Sequence, residues 1–164
     1  MTKLNQTKNR DLPESNRTRV IEALNARLSD TLDLVLQSKQ AHWNLKGPSF
    51  IALHELLDEI ADRLREQGDT MAERAVALGG IAEGTLQVVS ERTSIPPLPV
   101  DLQAQNPLVD RLTDAFAKHA AQLREAIRTA EAADDADTAD VFTEVSREVD
   151  KDLWFLEAHL ARFE

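Results

Sequence analysis

Four polar residues in one segment have types and spacing suited to a metal. His54 and Asp58 are four positions apart, and so are Asp69 and Glu73. On a helix turning ~100° per residue, with His54 taken as the origin, Asp58 falls near 40°, Asp69 near 60° and Glu73 near 100°. The apolar residues Leu53, Leu57, Ile60, Leu64, Met71, Ala75 and Leu78 of the same segment cluster near −90°. The acidic stripe is therefore distinct from the core-facing one. Mixed imidazole and carboxylate donors suit iron, manganese or zinc, and ligand softness makes no further choice among them.

One chain cannot close a single site with these four residues, because Asp58 and Asp69 stand roughly 16 Å apart along the helix axis. Their positions are nonetheless symmetric. His54 with Glu73, and Asp58 with Asp69, average to the same point between Arg63 and Leu64. If two copies of the helix cross antiparallel at a two-fold axis there, His54 lies near Glu73 of the partner subunit and Asp58 faces Asp69 of the partner subunit. Two identical sites result. Without a cation the facing aspartates would repel. Gly68, near the crossing, is expected to let the two helices approach. A merely solvated face has the same composition; the symmetry of the spacing is what favours a site.

The elements that must position these residues are long helices. Ile21, Leu24, Leu28, Leu32 and Val35 recur at threes and fours. So do Leu108, Leu112, Phe116, Leu123 and Ile127, and then Phe142, Val145, Val149, Leu156 and Leu160. No period-two stretch predicts a strand. With the segment above, the pattern is four amphipathic helices of about 25–30 residues, which is an all-α four-helix bundle. A tight turn at Lys46-Gly47-Pro48-Ser49 joins the first two, with Ser49 as a cap or Pro48 in the first turn of the second helix. The last two join near Ala132–Asp137. The roughly 27 residues from Gly79 to Asn106 are too long for a turn and fit a long crossover, as in ferritin-like folds, with a short helix around Leu86–Val89. Residues 1–14 are expected to be a partly flexible N-terminal tail and 15–164 the bundle.

Composition narrows the functions. The chain has 164 residues, 42% hydrophobic and 29% charged, which fits one globular domain. Cysteine is absent, which removes disulfides, thiolate ligands and cysteine nucleophiles. Tyrosine is also absent and methionine occurs twice, so few side chains oxidise easily. The net charge of −10 attracts cations and repels nucleic acid and anionic membranes. No apolar run is long enough for a bilayer, and the N-terminus lacks the hydrophobic stretch of a signal peptide, so a cytoplasmic protein without a membrane partner is expected.

The segment 39–80, KQAHWNLKGPSFIALHELLDEIADRLREQGDTMAERAVALGG, closely resembles the ferroxidase-centre signature of the Dps family, the DNA-binding proteins from starved cells or mini-ferritins. The segment TADVFTEVSREVDKDLWFLEAHL is similar to the last helix of that family, and the resemblance runs from Leu12 to the end. It implies hollow homododecamers of 23 symmetry. It also implies a ferroxidase that oxidises Fe(II) at dinuclear sites between two-fold-related subunits, preferentially with hydrogen peroxide, and stores ferric mineral inside. Two irons per site are expected. Matched residue by residue, His42, His54 and Asp58 of one subunit would face Asp69 and Glu73 of the partner subunit. The resemblance adds His42, which spacing alone could not assign. Trp43 matches a tryptophan near the site and is either an electron donor or a packing residue. Trp154 matches a second family position, read as structural. His119 and His159 have no motif partners and read as packing or surface residues.

Family members line a three-fold pore with acids from the region matching 131–152, so Asp134, Asp135, Asp137, Asp140 and Glu144 are candidates for iron uptake. DNA binding in the family usually relies on mobile basic tails. Here Lys3, Lys8 and Arg10 are the candidate contacts, against Asp11 and Glu14, so DNA is a candidate partner through the tail. The alternative to a peroxide-dependent iron store is a nucleoid-associated, DNA-compacting protein whose iron chemistry is secondary. A purely structural helical oligomer is a third reading, disfavoured because all five motif ligands are present.

Overall fold

The computed structural model describes Leu4, Asn5, Thr7, Lys8 and residues 11–160. Helices account for the regular structure of these residues: α1 (Glu14–Asn44), α2 (Phe50–Ala77), α3 (Leu86–Arg92), α4 (Gln105–Glu131) and α5 (Ala136–Ala158). The four long helices are those the apolar spacing predicts, and α3 falls where a short helix is expected within the crossover. Short turns fold α1 against α2 and α4 against α5, and α1 also packs on α4. The predicted stripes meet at the centre, where Leu24, Leu57, Leu64, Leu112, Phe116, Leu123, Phe142, Val149 and Leu156 are fully buried. Each such side chain contributes about 1.5–3 kcal/mol on burial.

The ends of α2 are fixed from a distance. Ser49 is the N-cap residue, but its hydroxyl makes no capping bond, and Pro48 precedes the cap. Instead the Ser49 N–H donates to Oε1 of Gln105, 2.8 Å away at the start of α4. Gly47 permits this: a Cβ there would stand 2.5 Å from the Gln105 Cβ. The same turn is pinned to the crossover, with Lys46 N–H donating to Gln103 O and Gln105 N–H to Lys46 O. At the other end Gly79 takes φ +87°, and the N–H groups of Gly80 and Gly79 return to Ala75 O and Val76 O. That is a Schellman stop, which satisfies carbonyls the helix leaves open.

The crossover is strapped to α1 by buried polar side chains. Asn25 donates to Ile81 O and accepts from Glu83 N–H, both at 2.9 Å. Asp30, fully buried, accepts from Ser94 N–H at 2.8 Å and pairs with Arg27 at 2.8 Å. Gln37 donates to Pro96 O at 3.1 Å. Their partners are backbone groups of an irregular segment, which must find hydrogen bonds somewhere.

Arg63 and Arg74 tie α2 to α5, Arg74 reaching both Asp135 and, at 3.7 Å, the exposed Asp137. Arg63 Nη2 lies 2.6 Å from Oδ1 of Asp152, which is fully buried. Burial pushes the Asp152 carboxyl above its usual range against the pull of Arg63. Arg74 Nη2 lies 2.7 Å from Oδ1 of Asp135. Asp135, an iron-uptake candidate from its charge, has a different use. It is 3% exposed and caps α5, accepting from Thr138 N–H at 3.0 Å and Thr138 Oγ1–H at 2.6 Å. Its two oxygens are taken up by the cap and Arg74, so the candidate set narrows to the exposed Asp134, Asp137, Asp140 and Glu144.

Candidate metal centre

The end of α1 and the start of α2 bring three of the five expected ligands together. The His42 and His54 rings stack, with centroids 3.7 Å apart and planes 17° from parallel. Each ring is held by the backbone of the other residue. His42 Nδ1–H donates to His54 O at 2.7 Å, and His54 Nδ1–H donates to His42 O at 2.9 Å. A carbonyl can only accept, so both Nδ1 atoms carry protons. In the neutral rings both Nε2 atoms therefore keep their lone pairs, the form a metal requires.

Asp58 follows His54 by one turn of α2, is half-exposed, and forms an ion pair with Lys39 of α1. The hydrogen bond from Lys39, with its charge, holds the Asp58 carboxyl below its usual range, and His42 adds to this. In the absence of a metal a lysine ammonium thus balances this carboxylate. Lys39 also lies 5.8 Å from the centroid of the Trp43 ring, a cation–π contact. Trp43 is 66% exposed, Phe50, with its ring centroid 5.1 Å from that of His54, is partly exposed, and Ile51, next along α2, is exposed too.

Asp69 and Glu73 are at or near the surface toward the other end of α2 and do not join this cluster. Among the described residues, no group of three or more His, Asp or Glu side chains converges within one subunit so as to hold a metal ion. His54 and Asp58 thus lie toward the start of α2, and Asp69 and Glu73 toward its end. Gly68 departs from the expectation for it: it is buried, and a Cβ there would meet Leu28, Thr31 and Leu32 of α1 at 3.6–3.8 Å. It therefore faces α1 of its own chain, with room there for a methyl group.

The remaining histidines stay outside the cluster. His119 is fully buried and its Nε2 lies 3.1 Å from Thr31 Oγ1. His159 Nδ1–H donates to Phe155 O one turn earlier. Trp154, read as structural, is 62% exposed and rests on Phe155, with ring centroids 5.0 Å apart. Lys39 is the charged neighbour that sequence reasoning missed. Its signal was its spacing of three from His42. Of the candidate DNA contacts, Lys8 is exposed, and Lys3 and Arg10 lie outside the described residues. Asn5 N–H donates to Gly79 O at 2.7 Å, and Leu4 and Leu12 pack against the core. No helix among the described residues is long and apolar enough to cross a membrane.

The bundle, its long crossover and the His–carboxylate face define a ferritin-like protein, and the ferritin family, described as a ferritin-like domain, matches residues 21–164. Within that class the chain belongs to the Dps family. It is 49% identical over 158 residues to the DNA protection during starvation protein of Agrobacterium fabrum, covering 96% of this chain and 97% of that one. The DpsA14 structure from Streptomyces coelicolor superposes with a TM-score of 0.91 at 28% identity, covering 99% of this chain and 96% of that one. A Dps structure from Microbacterium arborescens in a high iron form gives 0.85 at 33% identity, covering 92% and 97%.

Proposed function

We propose that the protein is a mini-ferritin whose paired subunits oxidise ferrous iron with hydrogen peroxide and store the ferric product inside a hollow dodecamer of 23 symmetry. The observation that carries this reading is the reciprocal Nδ1–carbonyl lock of His42 and His54 beside Asp58. It fixes the ring tautomers before any metal arrives, so little reorganisation accompanies binding. Asp69 and Glu73 of the partner subunit complete each site across a two-fold axis, which gives two irons room among two imidazoles and three carboxylates. The exposed Trp43, Phe50 and Ile51 beside the half-site offer apolar surface for that partner to cover.

Iron is the substrate. Each of two ferrous ions gives up one electron, the peroxide O–O bond accepts both, and two protons complete two waters. Because the pair of electrons is delivered together, no hydroxyl radical is released. Iron must displace Lys39 from Asp58, and the ammonium then moves out toward solvent. Trp43 stands where it can supply or trap an electron. The exposed Asp134, Asp137, Asp140 and Glu144 draw cations toward the shell.

A role in DNA protection fits the names of the relatives, and we infer that it works through removal of iron and peroxide in the cytoplasm. The hydrogen bond of Asn5 to the end of α2 favours this over a free basic tail. A gel shift at two salt concentrations discriminates: a shift at low salt that vanishes on deleting residues 1–10 would instead support a nucleoid-associated protein. The direct test of the iron reading is anaerobic ferrous loading followed by a stoichiometric peroxide pulse. Fast ferric absorbance without trapped radical is expected in the wild type and not in His54→Ala/Asp58→Ala. Equal rates in the two would overturn the site.

A further inference from the structure

An acid and a base three residues apart on an exposed helix face ordinarily do no more than decorate the helix. Asp62 and Arg65 of α2 form such an ion pair, with side chains 67% and 51% exposed. Pairs of this kind add little to stability. Glu125 and Arg128 of α4 make another. What sets Asp62 and Arg65 apart is where they stand.

In the antiparallel pairing proposed for the metal site, on which this inference rests, two α2 helices cross at the point between Arg63 and Leu64. A residue then meets the one that lies equally far beyond that point on the partner subunit. Along the stripe from ~0° to ~100° that holds the ligands, this rule is geometric and leaves the identities of the paired residues free. The identities are complementary. Ile51 and Val76 are both exposed and equidistant from the crossing, at ~60° and ~40°, so apolar meets apolar on the outer side of each metal site. Glu55 meets Ala72, without charge conflict. Asp58 meets Asp69 of the partner subunit, the one like-charged pair along the stripe, and that is where a metal would bind. Asp62 meets Arg65 of the partner subunit.

Asp62 and Arg65 each lie ~2 Å along the helix from the crossing point, at ~80° and ~20°, on either side of the centre of the stripe. Two copies therefore gather two carboxylates and two guanidiniums around one axis. Each Arg65 donates from Nη1 to Asp62 of its own chain and stands level with Asp62 of the partner subunit. Its planar fork has donors enough to bridge both carboxylates. Closing two helices over the four groups excludes water and strengthens the attraction.

We propose that Asp62 and Arg65 form a reciprocal ion-pair ring across the two-fold axis midway between the two metal sites, and that this ring selects a second copy of the chain as the partner for α2. Charge reversal tests it. Asp62→Arg gathers four guanidiniums at the axis, and Arg65→Asp four carboxylates. For each variant alone, the protein concentration at which half of the assembly dissociates should rise at least about tenfold. When the two variants are mixed in equal amounts, every contact across the axis joins opposite charges, so assembly should return to within about threefold of the wild type. With one variant isotope-labelled, native mass measurement should find the two in equal number in each particle rather than in a binomial spread. Rescue by mixing also shows that each variant folds. Glu125→Arg and Arg128→Glu change the charge equally on α4 and should mix at random. Because the charge of Arg65 also reaches Asp58, the readout is assembly and not iron oxidation. Wild-type assembly by either α2 variant alone, no rescue on mixing, a binomial spread, or equal sorting by the α4 variants would each overturn the proposal. The shared metal site stands or falls separately: His54→Ala/Asp58→Ala mixed with Asp69→Ala/Glu73→Ala regains iron oxidation if two chains share a site, whatever pairs at the axis.

Discussion

Residue chemistry makes two sharp demands. The first concerns Lys39, whose ion pair with Asp58 competes with any metal at that carboxylate. Lys39→Met keeps the aliphatic stem and removes the competitor. Ferrous binding in the absence of oxidant should tighten by a few-fold, since a solvent-screened pair competes only weakly. Calorimetry checks this, and weaker binding would mean that Lys39 helps to hold the site open. The second concerns His119. Burial, with Arg27 nearby, lowers its imidazole from 6.5 to about 3. The unfolded chain takes up this proton as pH falls below about 6.5, whereas the folded chain does not until about 3. The neutral ring's contribution to stability is thus whole above pH 6.5 and is lost as pH falls through that window, by up to ~1.4 kcal/mol per pH unit. His119→Gln should lose less of its thermal midpoint than the wild type between about pH 7 and about pH 4.5, and equal losses would remove His119 as a source of acid sensitivity. Legibility at this scale was uneven. That His54 and Asp58 share one face of α2 could be read because helical geometry converts spacing into direction. Asp135 could not be separated from its acidic neighbours by counting charge, although Asp135 three before Thr138 at a helix start is a capping pattern.

At the scale of elements, apolar periodicity made the four long helices readable, because burial on one face dictates it. The crossover's path was less visible. Asn25, Asp30 and Gln37 interrupt the apolar stripe of α1 as single polar residues, and nothing local says that their partners lie about sixty positions away. Gln105, which holds the start of α2, is hidden for the same reason. Asn25→Leu removes one donor and one acceptor at once and strands the Ile81 carbonyl and the Glu83 N–H. It should cost about 2–4 kcal/mol if both stay buried, and increase amide exchange at Glu83 before it does so in the bundle core. Gly68 tests the opposite sign. Its helical angle falls between the core stripe and the acidic stripe, so the sequence could not say which side it faces. With α1 atoms 3.6–3.8 Å from where an alanine methyl would sit, the added Cβ makes ordinary contact. Gly68→Ala should therefore stabilise α2 by about 1 kcal/mol through helix propensity alone. Calorimetric unfolding checks it. A loss of stability together with loss of oligomer would restore the expectation that Gly68 faces a second subunit.

The whole molecule adds what one subunit lacks. His42, His54 and Asp58 gather at one end of α2 and Asp69 and Glu73 stand at the other, so any site using all five must draw on two chains. A mixing experiment separates this from a site built within one chain. Take His54→Ala/Asp58→Ala as one variant and Asp69→Ala/Glu73→Ala as the other, each expected to oxidise iron slowly. In a mixed two-fold pair, one site receives both damaged halves and is lost. The other receives intact His54 and Asp58 from the second variant and intact Asp69 and Glu73 from the first. Random reassembly of equal amounts makes half of the pairs mixed, so about a quarter of the wild-type number of sites should return. Ferric absorbance after a peroxide pulse should recover to about that fraction of the wild-type initial rate when the variants are dissociated and reassembled together, and not when they are reassembled apart and then combined. A site closed within one subunit gives no recovery in either case. The fraction matters as well as its presence: recovery well below a quarter would mean that the variants sort into like pairs, which a size-resolved analysis of subunit composition by mass would reveal directly.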